Sequence, residues 1–276
     1  MFELPECVNL ARQINEEFEG RRVTRGRLGN SPHKFVWYNR SPEGFQRLSA
    51  GKRVGHSSAR GRWIFIPLQP ECVLLIGECG GRLLYHAPGS DPPERYHLRI
   101  DFDDESLMTV TTQMWGAMEL HESGSELDRE YVKGMRPTPV DEGFTLAYFS
   151  ELIESIPAGG ARSVKGLLTQ NQLIPGLGNS IAQDIMFRAR LHPRHALSDL
   201  GPRACKGLFD AIVGTVASVT EAGGRSDELD LYGRPGGYAR LMDSRSVGRP
   251  CPVCGTPVEK ISYLGGSCYL CPGCQK

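Results

Sequence analysis

Four cysteines near the end of the chain have the residue type and spacing of metal ligands. Cys251 and Cys254 form one Cys-x-x-Cys pair, and Cys271 and Cys274 form a second pair after sixteen intervening residues. Two such pairs supply four thiolates, a common ligand set for tetrahedral Zn²⁺. Because four thiolates leave no position for water, we expect one structural Zn²⁺ ion and not a catalytic one. A disulfide pair, or a zinc ribbon with a purely structural role, is the alternative.

A glycine-rich turn in the second half of the chain has residues suited to phosphate binding. Residues 170–182 read Gln-Asn-Gln-Leu-Ile-Pro-Gly-Leu-Gly-Asn-Ser-Ile-Ala and join two predicted helices. Such a turn aims backbone N–H groups and a helix N-terminus at an anion. Asn179 would cap the second helix or donate to a phosphate, and Lys165 would neutralise the same charge. A helix–turn–helix packing motif without a ligand is the alternative.

The elements that must position these residues differ between the two halves of the chain. An N-terminal helix is predicted from apolar residues at helical spacing that follow Pro5 and Glu6 and end before Gly20. Short β-type runs follow, separated by Gly, Pro and Ser, a pattern typical of an antiparallel sandwich or barrel. The predicted strands cover residues 34–38, 63–67, 72–77, 82–86, 96–102 and 107–112.

Helical patterns replace the β-type runs after the predicted linker sequence Arg-Pro-Thr-Pro at residues 136–139. The predicted helices cover residues 144–156, 162–170, 179–191 and 202–222. A glycine-rich loop at 223–238 follows them, and two short strands joined by Gly265 and Gly266 separate the cysteine pairs. The sequence therefore predicts an α+β protein with a β domain, a helical domain and a metal-binding hairpin.

The distribution of charge bears on the partner more than its sum does. Basic and acidic residues number 32 each, so the formal net charge is zero. Residues 20–62 nevertheless hold eleven basic residues against one acid, and residues 101–130 hold nine acids against one arginine. A folded molecule with this pattern can present one basic face, which permits a polyanionic partner. Ordinary mixed surface charge is the alternative.

The chain carries no sign of secretion or membrane insertion. Its N-terminus lacks a basic start followed by an apolar run, and no stretch approaches the length of a membrane span. The five cysteines outside the two pairs are scattered. We therefore expect a cytosolic protein with reduced thiols and no membrane contact.

Taken in order, these motifs resemble the formamidopyrimidine-DNA glycosylase / endonuclease VIII family. The resemblance rests on Met-Phe-Glu-Leu-Pro-Glu at residues 1–6, on Lys165, on Pro-Gly-Leu-Gly-Asn at residues 175–179 and on the four-cysteine hairpin. It implies an N-terminal helix plus antiparallel β-sandwich in residues 1–134. It also implies a helix–two-turns–helix domain in residues 135–246 and a C-terminal β-hairpin zinc finger in residues 247–276.

The resemblance implies a DNA repair protein that binds damaged duplex DNA, extrudes one nucleotide and cuts its glycosidic bond. In the family, the amine of an N-terminal proline attacks the sugar, and the next glutamate moves protons at the sugar ring oxygen. Glu3 matches that glutamate and Glu6 matches the acid that opens the helix, but Phe2 replaces the proline. We therefore predict catalytic roles for Glu3, Glu6 and the Met1 α-amine, without a proline-based Schiff-base lyase step.

The resemblance also assigns DNA contacts beyond Lys165 and Asn179. Arg62 takes the place of a lysine that touches the lesion phosphate. Trp115 takes the place of an aromatic wedge that enters the base stack, with a core position as its alternative. Two further positions, Glu78 and Gly266, depart from the family's apolar plug and phosphate-binding arginine. The glycine-rich loop at 223–238 would face the lesion.

We predict a DNA glycosylase with an unusual range of lesions, acting as a monomer on damaged double-stranded DNA in the cytosol and at the nucleoid. The alternative is a catalytically silent relative that recognises distorted DNA without excising a base. A zinc-ribbon protein bound to RNA or to the ribosome is a third hypothesis, which the basic 20–62 segment permits.

Overall fold

The computed structural model describes residues 1–31, 33–157, 160 and 162–276. These residues divide into two compact units. The first unit comprises Met1–Met135 and Ala222–Gly237, and the second comprises Arg136–Glu221 and Tyr238–Lys276. In this part of the chain, no helix combines the length and the apolar character that crossing a bilayer requires.

Helix α1, Leu4–Phe18, opens the first unit and fixes the two predicted catalytic acids. Glu3 and Glu6 form a capping box. The Glu3 backbone N–H donates to Glu6 Oε2 at 2.9 Å, and the Glu3 carboxylate accepts the backbone N–H of Glu6. Pro5 lies in the first turn, where its missing N–H costs no hydrogen bond. The predicted N-terminal helix is confirmed, and its cap holds both carboxylates in defined positions.

Two β-sheets and α1 enclose the core of the first unit. The strands are β1 (Val23–Leu28), β2 (Val36–Tyr38), β3 (Arg53–Val54), β4 (Ser58–Arg60), β5 (Trp63–Gln69), β6 (Cys72–Gly77), β7 (Gly81–His86), β8 (Leu98–Phe102), β9 (Leu107–Thr112) and β10 (Gly116–Glu122). One sheet has the order β1-β8-β9-β7, and the other has the order β2-β10-β6-β5-β3 with β4 paired to β5. One buried cluster contains side chains from α1 and from both sheets, for example Ile14, Leu74 and Ile100. The predicted sandwich is confirmed, although β2 pairs with β10 in parallel.

Two short helices complete the first unit, α2 (Pro42–Ser49) and α3 (Glu130–Lys133), the latter after a 3₁₀ turn at Ser125–Asp128. Ser41 caps α2, because its Oγ accepts the Gly44 N–H at 3.1 Å. Helix α2 packs on β1 at Gly26, where a Cβ would overlap Ser49 Oγ. A glycine inside β1 therefore marks the close approach of a helix.

The second unit is built from helices and one hairpin. Its elements are α4 (Leu146–Glu154), α5 (Val164–Thr169), α6 (Asn179–Arg188), a 3₁₀ turn (Leu197–Asp199), α7 (Pro202–Glu221), β11 (Glu259–Tyr263) and β12 (Gly266–Leu270). Helix α6 packs against α5, α7 and β12, and its Ile181 and Ile185 are fully buried. The turn before α6 and the hairpin therefore lie side by side in this unit.

The two units divide the chain differently from the predicted domain boundaries. The break after Met135 lies next to the predicted boundary, but Ala222–Gly237 packs with the first unit and not with the helices. Leu231 holds this segment in place, because its N–H donates to Gln13 Oε1 at 2.9 Å and its carbonyl accepts the Tyr85 N–H at 2.8 Å. The β11–β12 hairpin shares its compact unit with α4–α7. Both differences arise from contacts between residues far apart in sequence.

Candidate functional site

A buried cluster of charged groups surrounds the start of α1. Glu3 and Glu6 are each 4% exposed, and Arg225 is 1% exposed. The Arg225 backbone N–H and Nε both donate to Glu6 Oε1 at 3.0 Å, and its Nη2 donates to Glu6 Oε2 at 3.1 Å. Its Nη1 lies 3.8 Å from Glu3 Oε1. One guanidinium therefore compensates two carboxylates that burial would otherwise penalise.

The α-amine of Met1 belongs to the same cluster. It lies 2.7 Å from Glu228 Oε1, and the Met1 carbonyl accepts a hydrogen bond from Arg225 Nη2 at 2.8 Å. Glu228 Oε1 is also 3.5 Å from Arg225 Nη2. Burial alone would lower the pKa of Arg225, but the carboxylates, Glu3 foremost, outweigh burial and raise it. The guanidinium therefore stays charged and holds the Met1 backbone beside the acids.

Phe2 is part of the hydrophobic core. Its side chain is 1% exposed, and its backbone N–H donates to Cys79 O at 2.9 Å. Since the side chain is packed inward, it does not fill the open space beside Met1. Phe2, which stands where the family has its proline, therefore anchors the N-terminus. The α-amine of the chain belongs to Met1, one residue before the proline position.

An open cavity of about 340 Å³ lies beside Met1. Its lining consists of residues from the N-terminus, the turns at 80–82 and 113–114, and the segment 227–229, namely Met1, Gly80, Gly81, Arg82, Gln113, Met114, Asp227, Glu228 and Leu229. Asp227 and Glu228 belong to the loop at 223–238 that was predicted to face the lesion, and both line this cavity. Arg225 and Leu231 of the same loop do not, because they are buried at 1% and 0% exposure.

Two buried thiols near the N-terminus are unsuited to nucleophilic chemistry. Burial raises the pKa of Cys79 to about 12, although the nearby N-terminal amine lowers it. Burial is the main cause that raises the pKa of Cys7 well above its ordinary value, and the negative charge of Glu6 raises it further. A thiol attacks as the thiolate, so neither cysteine competes with the carboxylates and the amine for a catalytic role.

The structure brings Arg62 to the N-terminal cluster. Arg62 Nη1 lies 3.2 Å from Glu78 Oε2 and 3.7 Å from Met1 Sδ. Glu78 thus pairs with the predicted phosphate contact and does not act as an apolar plug. Trp115 is 42% exposed, and its ring centroid lies 4.6 Å from that of Phe35. This exposure excludes the alternative of a core aromatic for Trp115.

Lys165 and Asn179 meet at the hairpin of the second unit. Lys165 is 1% exposed, and its Nζ donates to Tyr263 O at 2.5 Å and to Gly266 O at 3.4 Å. Asn179 Nδ2 donates to Ser267 O at 3.4 Å. Gly178, not Asn179, occupies the N-cap of α6, because Asn179 already has helical backbone geometry. A Cβ on Gly266 would lie 3.4 Å from Lys165 Nζ, so the glycine faces the predicted cation.

The four paired cysteines converge at the end of the hairpin. The Sγ atoms of Cys251, Cys254, Cys271 and Cys274 all lie within 4.8 Å of one another. The Cys251–Cys274 and Cys254–Cys271 sulfur distances are 3.8 Å and 3.3 Å. All four are free cysteines, so the disulfide alternative is wrong. The cluster has the donor set and the spacing of a tetrahedral metal site.

Arg225 and Glu228 are the residues of this site that the sequence did not identify. Both lie more than two hundred positions from the acids and the amine that they contact. A glycine-rich segment with mixed charge is typical of a solvent-exposed loop, and no local pattern distinguishes these two residues. Their pairing becomes apparent only in the folded first unit.

Two family models match the chain. The formamidopyrimidine-DNA glycosylase N-terminal domain matches residues 1–118, and the formamidopyrimidine-DNA glycosylase H2TH domain matches residues 135–229. Among curated proteins, the formamidopyrimidine-DNA glycosylase of Listeria innocua is 26% identical over 280 residues and covers 100% of both chains. That of Symbiobacterium thermophilum is 28% identical over 279 residues, covering 100% of this chain and 89% of the relative.

Solved structures share the fold over nearly the whole chain. The Lactococcus lactis Fpg in complex with DNA containing an abasic site aligns with a TM-score of 0.85 at 22% identity, covering 99% of each chain. The MutM (Fpg) protein of Thermus thermophilus aligns with a TM-score of 0.83 at 24% identity, covering 99% of this chain and 98% of that one. The likeness extends through both units and the cysteine hairpin.

Proposed function

The chain belongs to the formamidopyrimidine-DNA glycosylase family, and from this premise we propose that it excises damaged bases from duplex DNA. The observation that carries the proposal is the buried Glu3–Glu6 pair, held with the Met1 amine beside an open cavity by Arg225. Met1 and Glu228 line the cavity, and Arg225 joins both of them to the two buried carboxylates. Carboxylates in such a cluster are suited to proton transfer at a sugar. The substrate is an extruded nucleotide of damaged double-stranded DNA.

Glu3 is the general acid/base of the proposed reaction. Water attacks C1′ of the sugar while the Glu3 carboxylate takes one of its protons, and the new C–O bond replaces the glycosidic bond. The departing base receives that proton from Glu3, which returns the carboxylate to its starting state. Glu6 keeps Glu3 in place through the capping box. Arg225 Nη1 lies 3.8 Å from Glu3 Oε1 and keeps a positive charge beside this carboxyl group.

The Met1 amine has a secondary role in this proposal. To attack the sugar, the Met1 amine would have to leave its contact with Glu228 at 2.7 Å. Because Phe2 stands at the position of the family's proline, the Met1 amine is a primary amine and not the secondary amine of a proline. We therefore expect base release without an efficient Schiff-base lyase step, and only weak cleavage at abasic sites.

A panel of lesion-bearing duplexes tests the proposal. The protein is incubated with oxidised, ring-opened and alkylated bases in duplex DNA, and abasic product is revealed by alkali; an undamaged duplex of the same sequence is the control. Borohydride trapping on an abasic duplex, followed by intact-mass measurement, detects any adduct at Met1. Release of at least one base above the control is expected. Tight binding to damaged duplexes with no release from any of them would instead assign the silent lesion-binding function.

Arg62, Lys165, Asn179 and Trp115 are the proposed DNA contacts. Arg62 and Lys165 neutralise phosphates, Asn179 donates to a phosphate, and Trp115 enters the base stack. Such phosphate contacts give binding that is independent of sequence and sensitive to salt. The partner is thus duplex DNA bound by a single chain, and the expected compartment is the cytosol with its nucleoid.

Replacing Lys165 with methionine is expected to weaken binding to every duplex alike and to reduce the salt slope by about one unit. Methionine keeps most of the side-chain volume but removes both the charge and the hydrogen bonds to Tyr263 O and Gly266 O, so the thermal stability of the variant is measured beside its affinity. Fluorescence anisotropy over a range of salt concentrations measures both quantities. Lys206→Met, on the exposed face of α7 with Asp210 as its partner, is the matched control. An unchanged salt slope in Lys165→Met would exclude a phosphate contact at this position.

Zn²⁺ is the proposed occupant of the cysteine cluster. Tetrahedral Zn–S bonds of about 2.3 Å separate the sulfurs by about 3.8 Å, close to the observed 3.8 Å and 3.3 Å. The ion would hold the open end of the β11–β12 hairpin together, and the turn at the other end of the same hairpin contacts Lys165 and Asn179. It supplies structural stability and no chemistry in the reaction.

Replacing Cys254 with serine is expected to abolish stoichiometric zinc binding and most DNA binding, because the hairpin beside Lys165 loses its clamp. Elemental analysis gives the zinc content, and anisotropy gives the affinity. Cys205→Ser on α7 is the control and should retain one Zn²⁺ per chain. Full zinc content in Cys254→Ser would place the ion elsewhere.

A further inference from the structure

The three tryptophans of the chain line one cavity in the first unit. This cavity, about 310 Å³ in volume, is formed by Trp37, Trp63 and Trp115 together with Glu78, Glu119, Arg129 and the backbone at 116–117. Trp37 lies on β2 and Trp63 on β5, and Trp115 directly precedes β10. The parallel pairing of β2 with β10, which aligns Trp37 with Ala117, brings two of them together. Gly77 leaves room for the third, because a Cβ there would overlap the Trp63 indole.

The rim of the cavity is an exposed aromatic patch. Trp37 is 61% exposed, Met114 59%, Trp115 42% and Phe35 37%. Trp37 lies on β2 and Phe35 directly before it, and the other two lie on the turn before β10. The patch surrounds the Phe35–Trp115 pair, whose rings are tilted by 40°. Contiguous exposed apolar side chains on a folded protein mark a binding surface.

Each charged group of the cavity has a partner of opposite charge, either within the lining or next to it. Arg129 donates to both carboxylate oxygens of Glu119, at 2.7 Å and 2.8 Å, and its guanidinium lies 4.2 Å from the centre of the Trp63 ring. Glu78 pairs with Arg62 at 3.2 Å. Such a lining suits a flat, uncharged aromatic group better than a cation or an anion.

Trp63 adds a requirement for a hydrogen-bond acceptor. Its indole N–H is buried and has no hydrogen-bond partner among the described residues, although the side chain is only 1% exposed. A buried donor without a partner is unfavourable in an empty cavity. A planar heterocycle with carbonyl or ring-nitrogen acceptors would satisfy it, and such a group is a nucleobase.

We infer that the tryptophan cavity binds a second nucleobase of the duplex, the one opposite the extruded nucleotide. The inference rests on the proposed function. Consecutive residues face the two cavities, since Met114 lines the cavity at Met1 and Trp115 lines the tryptophan cavity. Extrusion of one nucleotide leaves its partner base unpaired, and the Trp115 wedge displaces that base toward Trp37. Stacking on exposed aromatics tolerates any base, so this site contributes affinity without selecting a sequence.

Photocrosslinking tests the inference. A duplex carries 5-iodouracil opposite an abasic-site analogue, is bound by the full-length zinc-loaded protein and is irradiated, and the crosslinked residue is identified by mass spectrometry. A crosslink to Trp37 or Trp63 is expected, and it should be lost when the 5-iodouracil is moved several base pairs away. Crosslinks confined to Trp115 or to other residues would overturn the inference, because they place the opposite base outside the cavity.

The Trp37→Ala variant gives a second measurement. It is expected to bind the abasic duplex about tenfold more weakly, as for the loss of one stacked base, while Trp37→Phe keeps most of the affinity. Leu127→Ala, which removes an exposed side chain outside the patch, is the control. Unchanged affinity of Trp37→Ala would overturn the inference, and a loss of self-association in that variant would then assign the patch to a protein interface. No binding of the wild-type protein to any damaged duplex would reject the proposed function as well.

Discussion

A Glu3→Gln variant is expected to release damaged bases about 10²- to 10⁴-fold more slowly than the wild-type protein, the usual contribution of general acid–base catalysis. Glutamine has the shape of glutamate, and its side-chain oxygen still accepts the N–H that completes the α1 cap. It cannot take up or deliver a proton. The variant should therefore fold and bind damaged duplex DNA like the wild type while failing in the chemical step.

Single-turnover base release under saturating protein measures this effect separately from binding. Glu16→Gln on the same helix is the matched control, because Glu16 is exposed and pairs with Arg12 on the surface. Its rate should equal that of the wild type. If Glu3→Gln kept full activity, the proton transfer would have to be assigned to another group, with Glu6 the next to examine.

Replacing Arg225 with methionine is expected to destabilise the first unit by about 3–5 kcal/mol, the range for removing one partner of a buried ion pair. Methionine fills much of the space of the arginine stem but leaves Glu3, Glu6 and Glu228 without their common cation. It also removes the hydrogen bond that holds the Met1 carbonyl at 2.8 Å. Stability and base release should therefore fall together.

Urea unfolding followed by far-UV circular dichroism measures the change in the free energy of unfolding. Arg12→Met is the control: the Arg12 and Glu16 side chains are 57% and 49% exposed, so the loss of this surface pair should cost about 1 kcal/mol or less. Adding Glu6→Gln to Arg225→Met should recover part of the stability, because it removes one uncompensated charge. Equal stability of Arg225→Met and the wild type would show that the guanidinium does not compensate the acids.

Elements with strong local signals could be predicted from the sequence. The capped, periodic α1 and the apolar run of β6 agree with the sequence prediction, and the Cys-x-x-Cys spacing predicts the four-cysteine cluster that the structure contains. Helix α2 carried a local signal as well, in Ser41 followed by Pro42 and an acid, yet it was not predicted because it is short. Strand β1 was missed for another reason. It is rich in arginine and contains Gly26, which α2 requires at their contact.

Only part of the candidate site could be predicted from the sequence, and the reason is physical. Glu3 and Glu6 stand three positions apart at a helix start, so their proximity follows from helix geometry. Their compensating charge comes from Arg225, and the partner of the Met1 amine comes from Glu228, both across the folded unit. Burial of Lys165 likewise depends on the hairpin carbonyls that surround it. Single-sequence patterns reveal local spacing, and they do not reveal which distant residues neutralise a buried charge.

The first unit includes the distant segment Ala222–Gly237, and this limits which fragments of the chain can fold by themselves. A fragment ending at residue 135 would contain the sandwich and both acids but would lack Arg225, Glu228 and the Leu231 bridge between Gln13 and Tyr85. Its N-terminal carboxylates would be left buried without a counter-ion. A minimal version of the first unit must instead splice the 222–237 segment onto the sandwich through a new linker.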